Sequence, residues 1–232
     1  MRPLAYRDGP VGLQGVLFEA GAPAIVLFPD ARGIGRHACS VAGRLAGLGH
    51  TTLVADLYGG GREAGDMPEA MALMRDLRAD VERWRTRARS AMAALPGCRI
   101  AIGYCFGGST ALELARSGAA LDAVVSFHGG LASPRPQDAA NIRAKVLVCH
   151  GDADPLVPPA ERAAFEAEMR RTAADWQLHS YGGAVHGFTN PEADTAGTPA
   201  LGYHAAADRR SWQALLGLLR EVGGAATPLA SV

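Results

Sequence analysis

Seven short apolar runs, interleaved over most of the chain with longer stretches of helical periodicity, set the tightest limit on what this sequence can fold into. The runs are GVLF (15–18), AIVLF (24–28), TTLVAD (51–56), RIAIGY (99–104), DAVVSF (122–127), KVLVCH (145–150) and WQLHSY (176–181). Several are unbroken rather than alternating, the pattern of strands covered on both faces. Helical periodicity spans 36–48, 67–95, 107–118, 159–172 and 203–221. This rhythm predicts an α/β fold: a mostly parallel sheet with helices on both faces. In the longest helical stretch Ala70, Met74, Leu77, Val81, Trp84, Ala88 and Leu95 make one apolar face that packs on the sheet. The same stretch carries Arg83, Arg85, Arg87 and Arg89. Acidic neighbours (Asp76, Asp80, Glu82) and the lack of interleaved aromatics make these a solvated face rather than a nucleic-acid patch.

The chain of 232 residues, 48% hydrophobic, suffices for one domain over residues 1–222. A chain of that size buries roughly 70% of its unfolded surface. GGAATPLASV (223–232) has small residues and little periodicity and reads as a mobile tail. Lys plus Arg equals Asp plus Glu at 23 each, so no global field favours nucleic acid or an anionic membrane as partner. AIVLF is too short to span a bilayer. The four cysteines, Cys39, Cys98, Cys105 and Cys149, are scattered without a C-x-x-C pair, which fits reduced thiols and a cytoplasmic protein.

AIGYCFGGST (101–110) is the stretch that carries chemistry. A strand ending at Tyr104, then Cys105, then Phe106, Gly107 and Gly108 opening an apolar helix make G-x-C-x-G, the cysteine form of a nucleophile elbow. Glycines two residues before and after the cysteine relieve the crowding of a sharp strand-to-helix turn. The sulfur then projects at a helix N-terminus, where free N–H groups and the positive dipole end favour an anion. The plainer reading, a small buried hydrophobe, is assigned to Cys39, Cys98 and Cys149. A dinucleotide-binding reading fails, because GYCFGGS gives no G-x-G-x-x-G.

A thiol nucleophile needs a base and an orienting carboxylate. GDADPLVPP (151–159) offers Asp152 and Asp154 just past a strand end, and GGAVHGF (182–188) offers His186 in a glycine-rich loop. The order nucleophile, acid, histidine is that of the α/β-hydrolase fold. The remaining histidines, His37, His50, His128, His150, His179 and His204, show no metal-ligating spacing, so neither a metal nor a cofactor is expected. His128, in FHGG at a strand end, is a candidate pocket residue.

With FPDARG (28–33), ADLYG (55–59), GYCFGG (103–108), GDADPLVP (151–158), AVHGF (184–188) and YHAAADRRSW (203–212) in this order, the sequence resembles the dienelactone hydrolase family, the carboxymethylenebutenolidases, over nearly its whole length. The resemblance implies about eight strands without a large lid and a Cys105-His186-Asp154 triad, the acid falling on Asp154 by G-x-x-D. It implies an oxyanion hole from the N–H groups of Ala31 and Phe106. It further implies hydrolysis of small esters or lactones through an acyl-thioester, by a monomer or small homo-oligomer. Asp30, Tyr58, Tyr104, His128, Phe188 and Asn190 are the expected substrate contacts. Founding members of the family have a glutamate at the place of Asp30 and a carboxylate-binding arginine at that of Asn190; Arg32, Arg36, Arg62, Arg75 and Arg209 are possible substitutes. The other readings are a general carboxylesterase or thioesterase on another small acyl substrate, and a non-catalytic ligand-binding module on the same fold.

Overall fold

Each apolar run becomes a strand, and their continuity follows from what covers them. The computed structural model describes residues 1–223. The strands are β1 (Arg2–Asp8), β2 (Val11–Phe18), β3 (Gly21–Phe28), β4 (His50–Val54), β5 (Cys98–Tyr104), β6 (Ala123–Phe127), β7 (Lys145–Gly151) and β8 (Trp176–Tyr181). They form one open sheet in the order β1-β2-β4-β3-β5-β6-β7-β8. The β1/β2 and β2/β4 pairs are antiparallel, and β3 to β8 run parallel. This is the expected α/β-hydrolase architecture.

Side chains on a strand alternate between faces, so each continuous run feeds two cores. Val26, Phe28, Ala101, Val124 and Val148 point to one face. There they meet α2 (Met67–Arg78), α3 (Val81–Ala93), α4 (Phe106–Arg116) and α5 (Pro159–Met169) through Leu77, Trp84, Leu112 and Phe165. Ile25, Leu27, Ile102, Val125 and Leu147 point to the other, under α1 (Arg36–Gly47) and α6 (Ala205–Val222), which contribute Leu45, Trp212 and Leu215. Each fully buried aliphatic or aromatic side chain stabilises by about 1.5–3 kcal/mol.

Four readings are corrected or bounded by the structure. Arg2–Asp8 is an additional strand; its inward residues Leu4 and Tyr6 are only half-buried at the sheet edge, too weak an alternation to read. The helical stretch 67–95 is two helices, because the Asp80 carboxylate accepts from the Glu82 and Arg83 amides (3.0 and 3.1 Å) and starts a new N-terminus there. The arginine face of α3 is not all solvated: Arg85 and Arg87 are buried. Arg85 donates to Glu113 on α4 and to Asp138, and Arg87 to Asp8 on β1 and the Leu57 carbonyl. The expected tail lies outside the described residues apart from Gly223, whose N–H donates to the Leu219 carbonyl (2.9 Å) and closes α6. Among the described residues, no helix is long and apolar enough to cross a membrane.

Candidate active site

Cys105 occupies the N-cap of α4 with φ 53° and ψ −119°, a backbone region that L-residues enter only under constraint. The constraint is visible on both sides. A Cβ on Gly103 would lie 1.9 Å from the Gly107 oxygen, and one on Gly107 would lie 2.0 Å from the Phe28 oxygen. Glycine alone lets β5, α4 and β3 approach so closely. The Cys105 N–H donates to the Phe127 carbonyl on β6 (2.9 Å), and its own carbonyl accepts from Gly108 and Ser109 (2.9 and 3.2 Å), so the turn is fixed from two directions.

His186 follows β8 and is buried. Its N–H donates to the Ala200 carbonyl (3.1 Å), and its carbonyl accepts from Gly202 (3.2 Å). Nδ1 lies 2.8 Å from Asp154 Oδ2. Asp154 is buried too, and its other oxygen accepts from the Leu156 amide (2.8 Å). Nε2, on the far side of the ring, is buried without a partner at hydrogen-bonding geometry, and the group that acts on that ring is Cys105. Burial alone would push the imidazole down. The charge at Cys105 and the hydrogen bond and charge of Asp154 outweigh it and hold the imidazole up at about 10. The neighbouring Asp152 faces away: its exposed carboxylate accepts from Arg162 (2.8 Å), which holds it below the usual carboxylate range.

The oxyanion-hole candidates meet around Tyr58. Its hydroxyl donates to the Ala31 carbonyl (2.9 Å). Its ring stacks on Phe106 (6.3 Å, 2°), which in turn stacks on Trp84 (5.4 Å, 19°). Burial, followed by the charges of Cys105 and Asp30, pushes the Tyr58 hydroxyl well above its usual range, so it stays a donor. Phe106 is the first residue of α4, and its N–H is one of the helix's orphan donors. Asp30 closes the loop before Ala31: Oδ1 accepts from Arg32 (2.9 Å) and the main-chain carbonyl from Gly33 (3.0 Å). The loop bearing Tyr58 is anchored by buried Asp56, whose carboxylate accepts from Gln14, Tyr58, Gly59 and Gly61 (2.7–2.9 Å).

The other expected contacts lie deeper. Tyr104 is buried and stacked on Phe127 (4.5 Å, 4°). Phe188 is buried against Tyr181 and His128. Asn190 uses its carbonyl oxygen to accept from the Glu192 amide (3.0 Å), capping the 3-10 helix Pro191–Ala196. His128 is buried, with Nε2 2.8 Å from Thr189 Oγ1. Two residues of this neighbourhood gave no signal in the sequence. Thr189 follows AVHGF as an ordinary polar residue. His37 lies on α1 with its ring edge-on to Tyr104 (5.0 Å) and Nε2 buried without a partner. Burial lowers its affinity for a proton, and the charge of Asp30 offsets part of that. Among the described residues, no three His, Cys, Asp or Glu side chains gather in a way that could hold a metal ion.

The chain is similar to several known proteins over nearly its whole length. A solved structure named m3DLH is 45% identical with TM-score 0.89, covering 95% of this chain and 97% of its own. A dienelactone hydrolase-like promiscuous phosphotriesterase from metagenomic libraries is 41% identical with TM-score 0.90, over the same shares. A Salmonella typhimurium protein named "Putative carboxymethylenebutenolidase" is 25% identical over 236 residues, covering 95% of this chain and 83% of that protein. The dienelactone hydrolase family profile matches residues 14–223, and the chain belongs to that family.

Proposed function

We propose that the protein hydrolyses small esters or lactones with Cys105 as nucleophile, His186 as acid and base, and Asp154 as the group that orients His186. The carrying observation is the buried His186–Asp154 contact of 2.8 Å, set against a cysteine held at positive φ on a helix N-terminus. The Cys105 thiolate attacks the carbonyl carbon, forming a C–S bond as the carbonyl electron pair moves onto oxygen. The N–H groups of Ala31 and Phe106 receive that oxyanion; each such donor is typically worth about 3 kcal/mol at the transition state. Collapse expels the alkoxide or enolate, which takes the proton from His186 Nε2 and leaves an acyl-thioester. Neutral His186 then accepts a proton from water as hydroxide adds to the thioester. The second collapse returns the thiolate and releases the acid. Asp154 holds the Nδ1–H tautomer throughout. Thioesters deacylate slowly unaided, so stabilised leaving groups such as enolates suit this site.

The test is Cys105→Ala against p-nitrophenyl acetate and a panel of lactones. Hydrolysis should fall to background with the thermal unfolding midpoint retained, and Cys149→Ala should keep its activity. Near-normal turnover by Cys105→Ala overturns the reading, and ligand-induced stabilisation without turnover in the unmodified protein favours a binding module.

A second reading has one observation behind it, the 41% identity to a promiscuous phosphotriesterase. An aryl phosphotriester presents a tetrahedral P–O group where the oxyanion forms, so the same thiolate forms an S–P bond and displaces the aryloxide, which takes the proton from His186. Water activated by the neutral imidazole then cleaves the S–P bond and returns the thiolate. Release of p-nitrophenol from a diethyl p-nitrophenyl phosphate, absent in Cys105→Ala, checks it.

A further inference from the structure

Among the described residues the non-glycine residues at positive φ are Cys105 (53°) and His128 (39°). They stand at the ends of adjacent parallel strands. Cys105 N–H donates to the carbonyl of Phe127, the residue before His128, and His128 N–H donates to the Cys149 carbonyl on β7 (2.9 and 2.8 Å). A strained residue persists only where its surroundings impose it, and such outliers gather where function needs them. Here the imposing contact is at Gly129, where a Cβ would lie 2.5 Å from Ser126 Oγ and 2.9 Å from the Gly108 carbonyl carbon. The chain leaving β6 is thereby pressed against the first turn of α4, and the His128 side chain is turned inward at 2% exposure.

What that side chain holds is the His186 loop. Its ring meets His186 edge-on (5.3 Å, 65°) and Phe188 edge-on (5.3 Å, 79°), and its Nε2 lies 2.8 Å from Thr189 Oγ1. Nδ1 is buried without a partner. A proton on Nδ1 would be an orphaned buried donor, so the proton belongs on Nε2 and is donated to the Thr189 hydroxyl. Burial, and then the neighbouring His186 and His37, keep the ring neutral by holding its proton affinity far below the usual value. A neutral ring packs against an imidazolium without charge repulsion.

We propose that His128 is a positioning residue for the reaction at Cys105: through its ring contact with His186 and its bond to Thr189 it fixes the plane of the catalytic imidazole. That plane aims one nitrogen at Asp154 and leaves the other for Cys105. The proposal rests on the reading of His186 as the base and goes beyond it by assigning the group that aims it.

The experiment compares Thr189→Val, His128→Phe and His128→Gln with the unmodified protein. Thermal unfolding is recorded for each, and rates are expressed per Cys105 titrated with iodoacetamide. Thr189→Val, which keeps the side-chain shape, should lower kcat about tenfold with KM little changed, since small misplacements of a reacting group are that costly. The alkaline limb of kcat/KM should move to lower pH, because a loosened imidazole loses part of its contact with Cys105 and Asp154. His128→Gln, long enough to reach Thr189 with an amide N–H, should recover part of what His128→Phe loses. His128→Phe combined with Thr189→Val should be no worse than His128→Phe alone. If His128→Phe does not fold, Thr189→Val carries the test. An inactive Cys105→Ala together with a Thr189→Val that keeps wild-type kcat and pH limb overturns this proposal alone. Turnover by Cys105→Ala overturns the reading beneath it.

Discussion

His186 is where opposed effects meet. Desolvation would strip the imidazole of its proton, yet Cys105 and Asp154 together hold its pKa at about 10. That direction suits the role of acid proposed for the ring. As pH rises through about 10 that acid is lost, so kcat/KM for an alkyl ester should fall there. A pH-rate profile checks this, and Asp154→Asn should bring the fall to lower pH. The same substitution should lower kcat by about 10⁴ through the wrong tautomer. Asp152→Asn should stay close to wild type, since its ion pair with Arg162 is at the surface, where such pairs are worth about 0–1 kcal/mol. Equal losses in the two variants would show the acid to be misassigned. Cys105 and His186 were legible in the sequence because glycines mark the turns that present them. Asp154 was separated from Asp152 only by the family spacing. His128 showed only as a strand-end histidine: its positive φ comes from Gly129 meeting α4, and its bond to Thr189 spans 61 positions.

Helix α4 carries Cys105 at one end and is held by charge at the other. Glu113 and Arg116, buried in its last turns, join Arg85 from α3 and Glu168 from α5. Arg116 also donates to the Leu131 carbonyl (3.0 Å). Removing one member of such a set leaves uncompensated buried charge, which costs about 3–5 kcal/mol. Arg116→Met should therefore lower the unfolding free energy by that amount in urea titrations, since it strands Glu168 and leaves Glu113 with Arg85 alone. A loss below about 1 kcal/mol would mean the carboxylates find water instead. None of this was readable in the chain. Arg85 and Arg87 look like solvated residues of a charged helix, because the carboxylates that bury them lie on other elements. The break at Asp80 was hidden by apolar periodicity that continues across it; the capping role of its carboxylate shows only in the structure.

The strands and helices of the whole molecule were largely legible, because continuous apolar runs have few arrangements other than a covered parallel sheet. Substrate choice was not, since it depends on which surface charges reach the site. Arg32, Arg36 and Arg62 already face Glu63, Glu192 and Glu69 at 3.6, 3.4 and 3.8 Å. Asn190, at the position where the resemblance places one carboxylate-binding arginine, instead caps a helix. A lost charge-assisted pair costs on the order of 2 kcal/mol, roughly thirtyfold in kcat/KM. Dienelactone should thus be preferred over its methyl ester by well under a hundredfold. A larger preference measured on the purified protein would mean that another arginine has taken over. Cys105, His128, Asp154 and His186 all lie at or beyond the carboxyl ends of β5, β6, β7 and β8, so the groups of the candidate site share one rim of the sheet and the strands begin at the other. Gly97 lies on that rim, just before β5, exposed and with open space around its Cα. A reporter or an entire foreign domain grafted there would leave the reactive rim alone, whereas the same graft at Gly61, packed on Gln14, would disturb the loop that Asp56 anchors. The fold thus comes with a handle as well as a blade.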